Sequence, residues 1–192
     1  MKKQIEKIFS DSVNVINNSL INQISIEASV NLILTCLKNN KKIVLFGNGG
    51  SAADAQHIAA EFVGRFNKER KSLPAISLST DSSILTSIGN DYSFESIFSR
   101  QCESIVHDGD VVIGISTSGN SKNVLNGLSF AKKLGAKTIG LLGNDGGKIG
   151  KIVDISITVP SNSTPRIQEA HRVIYHIICE LVELDIVNSN IE

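Results

Sequence analysis

The sequence carries no net charge. Nineteen basic and nineteen acidic side chains cancel over 192 residues, so the basic excess with which proteins grip polyanions is missing and nucleic acid is not an expected partner. No apolar run reads as approaching the roughly 18 residues that cross a bilayer, and no membrane association is expected. The opening MKKQIEKIFSDS has lysines but no apolar stretch behind them, so it does not read as a secretory signal. Cysteine is scarce: Cys36, Cys102 and Cys179 are odd in number and form no C-x-x-C pair, which reads as reduced thiols in a cytoplasmic protein. Three prolines (Pro74, Pro160, Pro165) are too few to mark a linker. What is present is 41 % apolar and 20 % charged residues, a globular mixture too hydrophobic for disorder. The length suits one domain, residues 1–192, with residues 1–40 as an N-terminal helical extension.

The first forty residues contain no glycine. Ile26, Val30, Ile33 and Leu37 fall at i, i+4, i+7 and i+11, one stripe of a helix, and residues 2–18 read as a further helix. Beyond residue 40 the texture changes to short uninterrupted apolar runs at 43–46, 75–78, 111–115, 138–142 and 155–159. Such runs are what strands covered on both faces look like. Segments of helical length (52–65, 82–105 in one or two pieces, 121–134) separate them, which implies a parallel sheet with helices on both sides. Residues 164–187 read as a long helix whose Ile167, Ala170, Ile174, Ile177, Leu181 and Leu184 step regularly by three and four. That stripe suits packing on the sheet or on a second subunit.

Ligands of an open parallel sheet bind beyond the carboxyl ends of its strands, so the polar tails of the runs are the place to look. The first tail is Gly47-Asn48-Gly49-Gly50-Ser51, leading into a helix. Glycines let the backbone approach a ligand, and helix N-termini attract anions. No Gly-Lys-Ser/Thr follows, so it is not a Walker A loop. Gly47-x-Gly49-x-x-Ala52 satisfies the loose dinucleotide fingerprint, but the acidic residue about 20 positions on is missing, with Asp81 too late. The third tail, Ser116-Thr117-Ser118-Gly119-Asn120-Ser121, offers four hydroxyls in six residues. A helix cap needs one hydroxyl; four favour a phosphate cradle.

Only four histidines occur. His57 and Glu61 are i and i+4 on one helix face. Gln168, Glu169, His171 and His176 form a second polar cluster on the last helix, and the helical wheel prefers Glu169 over Gln168 as the partner of His176. A His/Glu/Gln/His set would suit zinc. His107, in the turn His107-Asp108-Gly109-Asp110, reads as a loop residue. A carboxylate base, an imidazole and a phosphate cradle make proton transfer beside a sugar-phosphate carbonyl feasible.

With these residues in view, the chain resembles the SIS (sugar isomerase) family over almost its whole length, and within it the branch that isomerises seven-carbon sugar phosphates. The resemblance is carried by Gly47-Asn48-Gly49-Gly50-Ser51, by Asp54-Ala55-Gln56-His57-Ile58-Ala59-Ala60-Glu61, by Gly64-Arg65-Phe66 and by Gly89-Asn90-Asp91. The segments Gly114 to Ser121 and Arg166-Ile167-Gln168-Glu169-Ala170-His171 complete it. It implies a three-layer α/β/α sandwich with a five-stranded parallel sheet, assembled as a homotetramer with active sites at subunit boundaries. It implies that Ser51, Ser116, Thr117, Ser118 and Ser121 hold phosphate while Asn48, Gly49, Gly50, Asn90 and Asp91 line the sugar pocket. By position, His57, Glu61, Gln168 and His176 match the family's zinc ligands, with Gln168 also toward substrate, and Glu61 and His176 match its acid–base pair. The family thus selects Gln168 where the wheel prefers Glu169. The implied reaction interconverts sedoheptulose 7-phosphate and D-glycero-D-manno-heptose 7-phosphate, on the way to ADP-heptose and lipopolysaccharide core. Pro165 departs from an acidic residue found there in some members, which touches only the substrate contacts of that loop.

Two other readings compete. A non-catalytic SIS protein of similar length binds the bacterial replication initiator DnaA, but that branch lacks the residues matching Glu61 and His176. A sugar-phosphate sensor would travel with a DNA-binding module, and none fits before residue 40.

Overall fold

The β-branched runs form five parallel strands in the computed structural model, which describes residues 1–189. The strands are β1 (Ile43–Gly47), β2 (Ala75–Ser77), β3 (Val111–Ser116), β4 (Lys137–Gly143) and β5 (Ile155–Val159), in the order β2-β1-β3-β4-β5. β1 and β3 are buried at every position, as uninterrupted aliphatic runs require. β2 differs: Ala75 is half-buried and Ile76 is 40 % exposed, because this short strand closes one edge of the sheet.

The helices are α1 (Lys2–Asn18), α2 (Gln23–Lys38), α3 (Gly50–Val63), α4 (Ser82–Asp91), α5 (Ile97–Ile105), α6 (Lys122–Lys133), the single turn α7 (Gly147–Gly150) and α8 (Thr164–Asn188). The expected helix over 82–105 is thus two helices, joined by a 3-10 turn at Phe94–Ser96. Successive strand residues point to opposite faces, which divides the interior into two cores. Ile43, Leu45, Ile113, Ile139 and Ile157 pack with residues of α2, α3 and α8. Val44, Phe46 and Val112 pack with α5 and α6, where the Phe46 and Phe98 rings stack at 4.7 Å. The result is the expected α/β/α sandwich.

One expectation needs correction. The segment Lys2–Lys38 does contain an 18-residue window of mean hydropathy 1.4, long and apolar enough to cross a membrane by composition. Here 44 % of that window is buried inside the fold, where Ile26, Val30, Ile33 and Leu34 of α2 join the core. The α8 stripe splits. Ile167, Ala170 and Ile174 are buried, but Ile177, Leu181 and Leu184 are 37–43 % exposed, and Ile178, Val182 and Ile186 take over the core. A seven-residue repeat drifts about 20° per heptad on a straight helix, so the stripe leaves the sheet and the i+4 series replaces it.

Candidate functional site

Between β1 and β3 the chain reverses direction across the sheet, since β1 leads outward to β2 and β3 lies on its other side. Crevices at such switch points hold ligands in open parallel sheets. Register pairs Gly47 with Ile115, so the glycine tail of β1 and the hydroxyl tail of β3 flank one crevice.

The glycine tail is fixed from both sides. Ser79 Oγ accepts from the Gly47 amide at 3.2 Å and donates to its carbonyl at 3.0 Å. Asn48 and Asn123 exchange two amide hydrogen bonds of 2.9 Å, tying this tail to the first turn of α6. Gly49 has φ +56, a left-handed conformation costly for a side-chain-bearing residue, just before α3 begins. At Gly50 the missing side chain matters instead: a Cβ there would collide with the Gln168 amide of α8. Neither Ser79 nor Asn123 stood out in the sequence.

The hydroxyls converge as a cradle requires. Ser116 Oγ lies 3.0 Å from Ser121 Oγ and 3.4 Å from Ser118 Oγ. Ser121 occupies the N-cap of α6 but makes no side-chain cap bond, so its hydroxyl faces the cluster and the plain capping explanation fails. Thr117 is half-buried beside them. A second loop braces this one: Asn144 Nδ2 donates to the Thr117 carbonyl at 2.9 Å, the Ile149 amide to the Gly119 carbonyl at 3.0 Å and the Lys148 amide to Asn120 Oδ1 at 3.1 Å. That bracing loop, Gly143 to Ile149, was not singled out in the sequence.

The third component joins α3 to α8. His57 Nε2 lies 2.8 Å from Glu61 Oε1, and a ligand atom of His176 falls with theirs inside 4.8 Å of one another. All three residues are half-buried. Burial, then the neighbouring His57, holds the His176 imidazole below its ordinary range, with Glu61 opposing, so the ring is neutral near pH 7. Two imidazoles and one carboxylate within this spread suit a tetrahedral divalent ion with a position left open, which is a fit of donor chemistry. Gln168 stands about 12 Å before His176 along the helix axis, with its amide against Gly50. Asn90 and Asp91 end α4 exposed, joined by a 2.9 Å bond.

These observations meet a clear likeness among known proteins. Residues 9–143 match the SIS domain family. The phosphoheptose isomerase of Geotalea daltonii is 62 % identical over 158 residues, 82 % of each chain. That of Sulfurimonas denitrificans is 50 % identical over all 192 residues and 97 % of its own length. The solved phosphoheptose isomerase of Neisseria gonorrhoeae superposes with a TM-score of 0.91 at 40 % identity, covering 95 % of this chain and 98 % of that one. The chain belongs to the SIS family, among its phosphoheptose isomerases.

Within this SIS isomerase, the remaining polar residues of α8 fall outside the triad. His171, expected in the same cluster as His176, is fully buried, with Nε2 2.8 Å from the Leu142 carbonyl. Burial pushes its pKa down to about 4 against that hydrogen bond, so it is a neutral brace between α8 and β4. Glu169, the wheel's choice, is paired with Arg166. His107 does lie in the loop before β3, at the amino-terminal end of this central strand and so away from the carboxyl-end crevice, but not alone: its Nδ1 is 3.1 Å from Lys42 Nζ. Sequence reading also missed a second polar bridge. Glu183 accepts the backbone amides of Phe66, Asn67 and Lys68 at 2.6–2.8 Å and faces Arg70 Nε at 3.2 Å. Arg70 in turn donates to the Glu61 and Phe62 carbonyls at 2.7 and 2.9 Å, closing the end of α3. Burial raises the Glu183 carboxyl, but the three amides and Arg70 outweigh it and hold it below the usual carboxylate range. The loop so fixed sets the Phe66 ring 5.6 Å from that of His176.

Proposed function

We propose that this isomerase interconverts sedoheptulose 7-phosphate and D-glycero-D-manno-heptose 7-phosphate through an enediol(ate), feeding ADP-heptose and lipopolysaccharide core synthesis. The observation that carries this is the meeting of His57, Glu61 and His176 from two helices far apart in sequence, in a fold whose switch-point crevice bears a hydroxyl cradle.

The phosphate sits among Ser51, Ser116, Thr117, Ser118 and Ser121, whose hydroxyls donate without adding formal charge. Asn48, Gly49, Gly50, Asn90, Asp91 and Gln168 take the sugar. Glu61 removes the carbon-bound proton beside the carbonyl, and neutral His176 passes protons to and from the oxygens. His57, Glu61 and His176 would hold zinc, one ion per subunit, which would stabilise negative charge on the enediolate oxygens. Gln168, about 12 Å away along α8, would complete that set only from a neighbouring subunit at the boundary where the active site is proposed.

The chain works as one domain in the cytoplasm and as a homotetramer with active sites at subunit boundaries. Supporting the assembly, α1 buries no residue and leaves Ile5, Ile8, Phe9 and Val13 50–70 % exposed. Next to it an apolar groove of about 550 Å³ opens between α1, α2 and α8, lined by Ile16, Leu20, Val173 and Leu181 among others. Exposed apolar side chains at i, i+3, i+4 and i+8 on one helix face are the usual mark of an interaction surface. Binding of the replication initiator DnaA in place of catalysis has no observation in its favour.

The test is incubation with sedoheptulose 7-phosphate in D2O, followed by NMR. Formation of the aldose, with deuterium at C-2, is the expected result; no aldose overturns the proposed reaction.

A further inference from the structure

The two ring nitrogens of His57 have different neighbours. Nε2 faces Glu61 at 2.8 Å. Nδ1 faces inward, 3.3 Å from the Tyr175 hydroxyl. That hydroxyl lies 3.4 Å from Asp54 Oδ1 and receives Arg172 Nε at 3.0 Å, while Arg172 also reaches Asp54 at 3.3 Å. Tyr175 is 2 % and Asp54 3 % exposed, so water does not substitute for these contacts.

Counting donors decides the direction of each bond. Arg172 only donates, and a carboxylate facing a guanidinium only accepts. The single hydroxyl proton of Tyr175 therefore points to Asp54. The Tyr175 oxygen, with Arg172 on one lone pair, keeps the other to accept from His57 Nδ1–H. A histidine held in that tautomer presents the lone pair of Nε2 to an ion shared with Glu61 and His176. With no ion between them, the 2.8 Å contact to the Glu61 carboxylate calls for a proton on Nε2, so Tyr175 and Glu61 compete for the ring proton. Metal-binding histidines are commonly oriented by a partner on the second nitrogen; here the partner is a tyrosine that relays the carboxylate.

We propose that Tyr175, acting through Asp54, is the positioning residue that fixes the tautomer and ring angle of His57 for metal binding. The proposal rests on the metal site put forward above. A purely packing role for Tyr175 is the alternative, since its ring also meets those of His57 and His176 edge-on at 5.5 and 4.7 Å. Phenylalanine would preserve that role.

The experiment titrates full-length wild type, Tyr175→Phe, Asp54→Asn and the double variant with zinc against a competing chromophoric chelator. ¹⁵N NMR of the His57 ring in the metal-free proteins accompanies it. Each single variant is expected to bind zinc about 10- to 100-fold more weakly, and the double variant no worse than the weaker single one, because both break the same chain. The Nδ1-protonated share of His57 falls in Tyr175→Phe. Zinc affinity of Tyr175→Phe within about twofold of wild type, an unchanged tautomer, or additive losses in the double variant overturns the relay. Wild type that binds no zinc overturns the metal site itself, a failure distinct from the first.

Discussion

Two polar clusters tie α3 to α8, seven residues apart on the latter helix, and they are built on opposite plans. At Glu183 and Arg70 the side chains are 2 % and 4 % exposed, and the carboxylate meets three amides and a guanidinium. At His57, Glu61 and His176 the groups are half-buried, and their ligand atoms crowd together with valence to spare. In the first cluster the carboxylate is fully engaged, Arg70 Nε faces it at 3.2 Å without an aligned hydrogen bond, and the pair holds the fold. The second is unfinished by protein atoms alone, as chemistry on a guest requires. Burial and saturation together separate this structural polar cluster from the reactive one.

The sharpest way to break this comparison is Glu61→Gln. Turnover should fall about 10³- to 10⁴-fold, in the range of a lost general base, while the thermal midpoint stays within a few degrees. Near-normal turnover would remove Glu61 from the reaction. Arg70→Met is its mirror image. Stripping one partner from a buried pair costs about 3–5 kcal/mol, read as a lowered urea midpoint, and activity per folded molecule should change far less than in Glu61→Gln. If stability holds and turnover collapses, the division into structural and reactive clusters is wrong.

A smaller effect sharpens the picture with pH. His171 has a folded pKa of about 4, below the ordinary 6.5 of an unfolded histidine. The unfolded chain thus binds the proton more readily, and stability falls as pH drops from about 6.5 to about 4, by on the order of 3 kcal/mol. Glu183, whose folded pKa is depressed, contributes fully above its unfolded value. That contribution is lost only as pH falls lower still, through the folded pKa. His171→Gln keeps an N–H donor for the Leu142 carbonyl but cannot titrate. Denaturation across pH should show the first loss abolished and the second retained; an unchanged first loss would exonerate His171.

Much of this molecule could be read from its residues, and the limits have physical causes. Doubly covered strands such as 111–115 announce themselves as unbroken aliphatic runs, whereas β2, at the sheet edge, reads the same and is half-open. His57 and Glu61 share a helix face and were legible as a pair. Their meeting with His176 is set by how α8 crosses α3, and here the family likeness supplied what helical spacing did not. The wheel favoured Glu169, but a wheel knows nothing of Arg166, one turn earlier, which engages that carboxylate. The Arg70–Glu183 bridge was invisible because one partner sits in a polar loop and the other amid a hydrophobic helix. Asp54 and Tyr175 carried a faint signal: each neighbours a singled-out histidine, at i−3 and i−1.

The close approach of Gln168 to Gly50 has a consequence of its own. The Gly50 backbone is an ordinary helical one, so alanine there would cost no torsional strain; its nearest clash would be with the end of the flexible Gln168 side chain. Position 50 is therefore a dial on a side chain more than a hundred residues away. A single methyl on the first turn of α3 would swing the Gln168 amide aside while both helices stay in place, altering what the crevice can grasp without touching any residue that performs the proton transfers.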